Sequence, residues 1–245
     1  MAEDWLGGYT MNSIITISRQ YGSGGSSIGK LLADKLGIPY YDNEIITELS
    51  KKKPFCSSPF NKEDEKTANS LIYSIAMGIN LYGNENNESA LSMEDQIYLN
   101  QAAVIREIAK KGPCVIVGRC ADYILEGEEH LIKFFVWGDI KNRISRAKAI
   151  YGDSHAKAGE NILRIDNKRS SYYTYHSGRN WGDLYNYDMA FRSDLLGVEE
   201  TVRLMEHIVI AREKQLKEGI NTVHRIDEHR DLIVNSSMLV KDFIR

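Results

Sequence analysis

The sequence predicts an α/β fold in which a parallel sheet of about five strands is flanked by helices. Short apolar segments alternate with segments of helical periodicity along the chain, an order typical of parallel sheets that are covered on both faces. Residues 14–18 form a β-branched run, which is typical of a buried strand. A glycine-rich turn at residues 21–30 then leads into a helical pattern, and this order is typical of an anion-binding site.

The first half of the chain contains three further predicted elements. Apolar residues at helical spacing follow the turn, and Gly37 predicts the end of that helix. Residues 39–42 predict a second strand that ends in Asp42, and a helix is predicted from about 43 to 52. A long helix is predicted over about 92–111, and its inward stripe consists of Ile97, Gln101, Val104 and Ile108.

The second half of the chain continues the alternation of strands and helices. Apolar runs predict strands at 114–118, 132–137 and 187–193. Periodic patterns predict helices at 139–151, 158–176 and 197–217. In the first of these helices, the residues predicted to face inward are Ile140, Ile144 and Ala147.

Composition limits the class of protein. The 245 residues are enough for one large domain, 42% of them are hydrophobic, and no run of eighteen apolar residues predicts a membrane span. The N-terminus lacks the basic start and apolar stretch of a signal peptide. Three widely spaced cysteines favour reduced thiols over a disulfide framework or a zinc site. We therefore expect a cytoplasmic protein that does not insert into a membrane.

The chain divides into a core and three segments of different character. Residues 1–12 are interpreted as a leader, and residues 13–218 as the main domain. Within that domain, residues 53–91 combine prolines, a charged run and an Asn-rich stretch, which predicts an inserted helical flap. The tail, residues 219–245, has a mixed pattern that predicts no particular element.

The glycine-rich turn is the predicted phosphate site. Backbone amides in such a turn point toward an anion, and the helix N-terminus adds a partial positive charge. Glycines allow the backbone to curl where side chains would clash, and a serine in the first helical turn suits a magnesium ion that bridges phosphates. Ser27 is the predicted magnesium ligand. The predicted phosphate-binding residues are Gly22, Ser23, Gly24, Gly25, Ser26 and Ser27. The alternative is a turn that only tightens the strand–helix connection.

The register of this turn decides which lysine matters. Lys30 has the spacing of a P-loop lysine relative to Gly24, but Leu31 follows it where serine or threonine is required. Lys30 also falls about one full turn inside the predicted helix. The better register places Ser27 in the magnesium position, and the lysine position then falls on Gly25. The loop therefore lacks the lysine that normally reaches the terminal phosphates.

Five segments carry a family resemblance. The first three are ITISRQYGSGG at 15–25, LGIPYYD at 36–42 and VIVGRCADYI at 115–124, and the last two are WGDLYNYD at 181–188 and SDLLG at 193–197. In this order they resemble the cytidylate-kinase-like family, a branch of the P-loop nucleoside monophosphate kinases. The resemblance implies a three-layer P-loop NTPase fold. It also implies that residues 53–91 are a flap over the monophosphate and residues 152–182 a lid over ATP.

The resemblance also implies roles for single residues. Asp42 matches the carboxylate that helps to place the acceptor nucleotide in cytidylate kinases. Gly118 and Arg119 match part of a motif that contacts the acceptor, although Cys120 stands in the place of its acid. Glu48 stands where cytidylate kinases carry the arginine that follows this carboxylate. A second interpretation of Asp42 is that it caps the N-terminus of the helix that follows it.

Positive charge is the main requirement of phosphoryl transfer. The formal net charge of −3 gives no general attraction to nucleic acid, so an anion must be held by a local cluster. The cationic candidates are Arg19, Arg119, Arg143, Arg146, Arg164, Lys168, Arg169 and Arg179. Arg164 and Lys168 are four residues apart and so share a helix face. The alternative is that the lid charges are solvated and form weak surface pairs.

These residues receive two predicted roles. The predicted catalytic residues are Arg119, Arg164, Lys168, Arg169 and Asp42, and the predicted nucleotide-binding residues are Arg19, Arg143 and Arg146 together with the loop. Five residues near the lid could stack on a base or pack the lid helix, with packing favoured: Tyr172, Tyr173, Tyr175, His176 and Trp181. Cys120 is interpreted as an inert small residue.

The sequence therefore predicts a kinase that depends on ATP and Mg2+. The expected acceptor is a nucleoside monophosphate such as CMP or dCMP, or a related small molecule. The alternative is a nucleotide-binding sensor or partner module without turnover, which the missing loop lysine favours. The expected partners are a nucleotide and a small phosphate acceptor, without nucleic acid, and a homodimer is left open.

Overall fold

A five-stranded, all-parallel sheet forms the centre of the molecule. The computed structural model describes residues 11–52, 92–152 and 154–219. The strands are β1 (Ile14–Arg19), β2 (Tyr40–Tyr41), β3 (Cys114–Val117), β4 (Leu131–Trp137) and β5 (Met189–Arg192). Their order in the sheet is β2-β3-β1-β4-β5, and each pair of neighbours is parallel. The predicted fold class, a parallel sheet flanked by helices, is confirmed.

Seven helices are described around this sheet. They are α1 (Gly25–Leu36), α2 (Asn43–Lys52), α3 (Met93–Lys110), α4 (Ala121–Ile124), α5 (Ile140–Tyr151), α6 (His155–Ser177) and α7 (Ser193–Lys217). A 3-10 turn, Leu184–Asn186, precedes β5. The short helix α4 was not predicted, because four residues carry too little periodicity to be recognised.

Two helices begin earlier than predicted, and the reason is local in both. α6 begins at His155 because the Ser154 side chain caps it, accepting a hydrogen bond from the Lys157 amide. α7 begins at Ser193 and contains one residue, Gly197, whose φ of 81° and ψ of 170° are not helical. The predicted start at Gly197 coincides with this interruption.

The core lies against the two central strands. Ile15 and Ile17 of β1 pair with Val115 and Val117 of β3, and all four side chains are fully buried. Burying an aliphatic side chain of this kind contributes roughly 1.5–3 kcal/mol. The β-branched runs therefore form the strands that are covered on both faces.

Two residues predicted to face inward are instead exposed. Ile97 is 45% exposed because the buried face of α3 is centred on residues such as Tyr98 and Ile105. Ile140 is 41% exposed because it is the first residue of α5. Arg143 occupies the buried side of α5.

Several predicted segments lie outside the described residues. The flap at 53–91 is among them, as are nearly all of the leader and the tail. The chain divides into two compact units, 1–206 and 207–245, and the sheet and the site described below belong to the first. Over the described ranges, no helix combines the length and apolarity needed to cross a membrane.

Candidate phosphate-binding site

A cavity of about 310 Å3 lies where β1 and β3 end. Ligands of open α/β sheets bind at this carboxyl edge of the strands. The cavity is lined by Ser18, Arg19, Asn43, Gly118, Arg119, Cys120, Ile165, Lys168, Arg169, Tyr172, Tyr173 and Trp181. Four of these described lining residues are cationic and none is a carboxylate, so the lining favours an anionic ligand.

The glycine-rich loop forms a tight turn between β1 and α1. Gly22 and Gly24 have φ values of 76° and 82°, which L residues with a side chain rarely adopt. The Ser23 hydroxyl donates to the Gln20 carbonyl at 2.8 Å and accepts from the Gly25 amide at 3.4 Å. Lys30 is exposed on α1, which agrees with the register that excludes it from the loop.

The first turn of α1 presents amides and hydroxyls at its exposed end. The Ile28 amide donates to the Gly24 carbonyl at 2.9 Å, so the amides of Ser26 and Ser27 precede the first intrahelical bond. Such amides are orphan donors that an anion can satisfy. Both serines are exposed, and the helix begins directly at the loop.

The fit of a magnesium ion rests on Ser27. Among the described residues, no group of three or more His, Cys, Asp or Glu side chains could hold a metal alone. Magnesium in phosphoryl-transfer sites keeps several waters and binds through one or two protein groups together with substrate phosphates. An exposed hydroxyl in the first turn of α1 fits that requirement when phosphates supply the remaining ligands.

Arg143 and Arg146 support the loop from α5. Arg143 Nη1 donates to the Tyr21 carbonyl at 3.2 Å, and Arg146 Nη1 donates to the Ser23 carbonyl at 2.8 Å. A Cβ on Gly22 would lie 2.7 Å from the Arg143 carbonyl oxygen, and one on Gly24 would overlap the Arg146 guanidinium. Both arginines therefore hold the loop backbone, and their predicted contact with a nucleotide stays a prediction.

Asp166 links helix α6 to the loop. Its carboxylate accepts from the Tyr21 amide at 2.7 Å and pairs with Arg143 at 2.5 Å. A longer pair joins it to Arg169 at 4.0 Å. Asp166 was not predicted from the sequence, where its only local signal is its spacing of three residues from Arg169.

The predicted cations separate into those at the cavity and those away from it. Arg119 Nε donates to the Asn43 side chain, and its guanidinium lies 5.5 Å from the centroid of Tyr172. Arg169 Nη1 donates to the Arg19 carbonyl at 2.9 Å, and Lys168 also lines the cavity.

Four predicted cations do not line the cavity. Two of them, Arg143 and Arg146, hold the loop, and the other two are Arg164 and Arg179. Arg164, predicted to be catalytic, is exposed and donates to Asn161 at 3.1 Å. Arg164 and Lys168 were expected to act together from one helix face. Of the two, Lys168 lines the cavity and Arg164 does not. Arg179 forms an exposed pair with Glu126 at 2.8 Å.

Arg19 has the most unusual environment of the cavity arginines. Burial, together with the positive charges of Arg169 and Arg119, lowers the pKa of its guanidinium to about 9, although Asp42 acts in the opposite direction. Its Nε is buried and has no hydrogen-bond partner among the described residues. An anion in the cavity would offset the repulsion among these three cations.

The carboxylate of Asp42 caps α2. Its Oδ1 accepts from the amides of Glu44 and Ile45, both at 3.0 Å. The capping interpretation of Asp42 is therefore seen in the structure. Its role in placing an acceptor stays a prediction, since its neighbour Asn43, rather than Asp42, lines the cavity.

The capping role predicts different outcomes for two substitutions of Asp42. Asp42→Ala removes the acceptor of two amides and is expected to cost about 1 kcal/mol of stability, whereas Asp42→Asn retains a good cap and is expected to cost little. Thermal unfolding of both variants measures the difference. Equal losses in the two variants would contradict the capping role.

The turn after β3 is strained and leads into a buried carboxylate. Arg119 and Cys120 have φ values of 57° and 54°, which is uncommon for residues with side chains and clusters at functional sites. Burial raises the pKa of the Cys120 thiol, in agreement with an inert thiol. Asp122, which the sequence analysis missed, accepts from Tyr173 Oη at 2.7 Å, and burial raises its pKa.

The aromatic residues in and just after α6 mostly pack against other side chains of the protein. His176 stacks on Tyr98 with ring centroids 3.8 Å apart, and Tyr172 packs edge-on against His176 at 4.5 Å. Trp181 packs against Phe135 at 5.5 Å. Tyr172 and Trp181 also line the cavity, so they combine packing with a surface on which a base could stack.

The sheet order, the glycine-rich loop at the end of β1 and the cationic cavity define a P-loop kinase-like protein. The family model described as the Cytidylate kinase-like family matches residues 14–195. The chain belongs to this family.

Several solved structures are similar to this chain. An uncharacterized protein from Eubacterium ventriosum ATCC 27560 is 24% identical with a TM-score of 0.61, and the match covers 80% of this chain and 98% of that one. Shikimate kinase from Bacteroides thetaiotaomicron is 13% identical with a TM-score of 0.45, covering 80% and 98%. A gluconokinase from Sinorhizobium meliloti 1021 is 16% identical with a TM-score of 0.44, covering 86% and 97%. No curated protein matches the chain significantly.

Proposed function

We propose that the protein transfers a phosphoryl group from ATP to CMP, dCMP or a related small acceptor, with magnesium bound at the phosphates. The observation that carries this proposal is the cavity in which Arg19, Arg119, Lys168 and Arg169 converge without a carboxylate among the described lining residues. A monophosphate acceptor and the end of a triphosphate together bring several negative charges to one place. Four cations are suited to stabilise that concentration of negative charge.

In the proposed reaction, an oxygen of the acceptor phosphate attacks the γ-phosphorus of ATP. The bond from that phosphorus to the acceptor oxygen forms as the bond to the bridging oxygen of ADP breaks. Little covalent help from the protein is required, so positioning and positive charge supply most of the catalysis. The electron pair of the broken bond stays on ADP, where bound magnesium would neutralise charge.

The chain's own residues divide this work between the loop and the cavity. The amides and hydroxyls of Ser26 and Ser27 are suited to hold the phosphates of ATP, and Ser27 would hold the magnesium ion. Arg119 is anchored by Asn43 and packed over Tyr172, which gives its guanidinium a fixed position for an acceptor phosphate. Planar guanidinium groups bind phosphate in two-pronged geometry.

A second candidate is a nucleotide-binding module without turnover. Gly25 favours it, because that position carries the lysine in conventional phosphate loops. A coupled assay of ADP release with CMP, dCMP, UMP, AMP and GMP separates the two candidates. Release that depends on a monophosphate supports the kinase; ATP binding by calorimetry without release for any acceptor would contradict it and favour the binding module.

The structure also predicts a contrast between two cations of α6. Lys168→Ala removes a charge from the cavity lining and is expected to lower kcat/KM by about 10-fold or more. Arg164→Ala removes an exposed side chain that does not line the cavity, so we expect near wild-type kinetics. Steady-state kinetics give kcat/KM for both variants. Equal effects of the two substitutions would contradict the placement of Lys168 in the active site.

A further inference from the structure

The space beside Gly25 is filled by another side chain. A Cβ on Gly25 would lie 2.5 Å from Arg19 Cβ and 2.9 Å from Arg19 Cγ, distances at which atoms overlap. Gly25 lies at the first position of α1, and its backbone does not have the positive φ seen at Gly22 and Gly24. Glycine is therefore required at position 25 by the bulk of Arg19 rather than by backbone conformation.

A second glycine clears the path of the same side chain. A Cβ on Gly118 would overlap the Nη1 atom of Arg19 and would lie 3.2 Å from its Cζ. The Arg19 side chain thus runs from the start of α1 to the turn after β3. Along this path its stem occupies the place where a side chain at position 25 would begin, and its guanidinium lies at the cavity.

The other cavity arginines have partners of their own. Arg119 is held by the Asn43 side chain, and Arg169 donates to a backbone carbonyl and lies near Asp166. The buried Nε of Arg19, by contrast, has no partner among the described residues. Arg19 is therefore the cavity arginine that has a buried donor for which the described residues supply no acceptor.

We propose that Arg19 replaces the missing loop lysine and binds the terminal phosphates of the nucleotide. The positive charge is supplied from the end of β1 instead of from the first position of α1, and Gly25 is small because both side chains cannot occupy the same space. This inference rests on the proposed function only in that the ligand is a nucleotide with its phosphates at the loop.

The proposal is tested by removing the positive charge at position 19 and placing one at position 25. Arg19→Met keeps most of the stem but removes the charge, and it is expected to lower ATP affinity and to lower kcat about 100-fold. Arg19→Gly is expected to do the same. Combining Arg19→Gly with Gly25→Lys restores a conventional loop. We expect the ATP affinity or the kcat of this double variant to be at least 10-fold higher than that of Arg19→Gly.

Stability provides a readout that is independent of turnover. Gly25→Ala is expected to lower Tm in the presence of Arg19, because its methyl group meets the Arg19 stem, and to be tolerated in the Arg19→Gly background. A double-mutant cycle on Tm measures this coupling. Additive effects of the two substitutions would overturn the steric part of the proposal.

Lys30→Ala is the matched control. This lysine has the P-loop spacing but is exposed on α1 beyond the loop, so its removal is expected to leave ATP affinity and kcat unchanged. Full activity of Arg19→Met, or a double variant no better than Arg19→Gly, would overturn the inference.

The outcomes also separate this inference from the proposed kinase activity. Wild-type protein that binds ATP in an Arg19-dependent way without turnover would contradict the kinase and support the inference. Wild-type turnover that is insensitive to Arg19→Met would support the kinase and overturn the inference. Calorimetry that detects no binding of ATP or ADP in the presence of Mg2+ would overturn both.

Discussion

Replacing Arg119 with alanine is expected to lower kcat/KM for the acceptor by about 100- to 1,000-fold, with little change in Tm. The loss corresponds to removing one preorganised donor from a site where charge develops, which typically costs about 3–4 kcal/mol of transition-state stabilisation. The Arg119 guanidinium is fixed between the Asn43 side chain and the Tyr172 ring at the cavity. Such fixation lets the cation act without reorganising during the reaction.

A matched arginine provides the control for this prediction. Arg179 also lies over a tyrosine ring, 5.3 Å from the Tyr123 centroid, but its guanidinium forms an exposed pair with Glu126 and does not line the cavity. Arg179→Ala is therefore expected to retain near wild-type kinetics. Steady-state measurements over a range of CMP concentrations compare the two variants. An unchanged kcat/KM for Arg119→Ala would contradict the proposed catalytic role of Arg119.

The lysine substitution refines the same test. Arg119→Lys keeps the charge but loses the planar donors that can bind Asn43 and a phosphate together. We expect activity between those of the wild type and the alanine variant. Activity as low as that of Arg119→Ala would indicate that geometry, rather than charge, dominates the contribution of this residue.

The fold was predictable because its signals are local. The β-branched run at the start of the domain favours a strand because of its own side chains. The glycines at 22 and 24 favour a turn independently of the surrounding structure. The errors lie at helix ends and at exposed positions such as Ile97. There the outcome depends on which face the neighbouring elements cover, and periodicity alone does not contain that information.

The site was only partly predictable for a related reason. Arg119 was found because it stands in a short motif after a strand, and Lys30 was excluded by counting residues along a helix. Asp166 was missed because its partner Tyr21 is 145 residues away in sequence. The relation between Arg19 and Gly25 was also hidden, since a steric exclusion between a strand end and a helix start becomes visible only in three dimensions.

Asp166 connects these observations, because its negative charge joins the loop to helices α5 and α6. Its carboxylate joins Arg143 of α5, the Tyr21 amide of the loop and Arg169 of its own helix. The side chains of Arg143 and Asp166 are only 10% and 15% exposed. Removing one partner of a largely buried pair leaves the other charge without compensation, which typically costs 3–5 kcal/mol.

Asp166→Ala is accordingly expected to destabilise the protein by about 3 kcal/mol and to lower Tm by roughly 6–12 °C. Asp166→Asn keeps an acceptor for the Tyr21 amide and is expected to lose less. The double variant Asp166→Ala with Arg143→Met removes both charges and is expected to be more stable than Asp166→Ala alone, because no buried cation remains unpaired.

Glu200→Ala is the control for this prediction, since it breaks a pair with Arg203 in which both side chains are more than half exposed. Exposed pairs contribute at most about 1 kcal/mol, so a small change in Tm is expected. Thermal unfolding of the four variants measures the series. If Asp166→Ala lowers Tm as little as Glu200→Ala does, the pair with Arg143 does not stabilise the loop. The shape of the loop must then depend on Arg146 and the Ser23 hydroxyl.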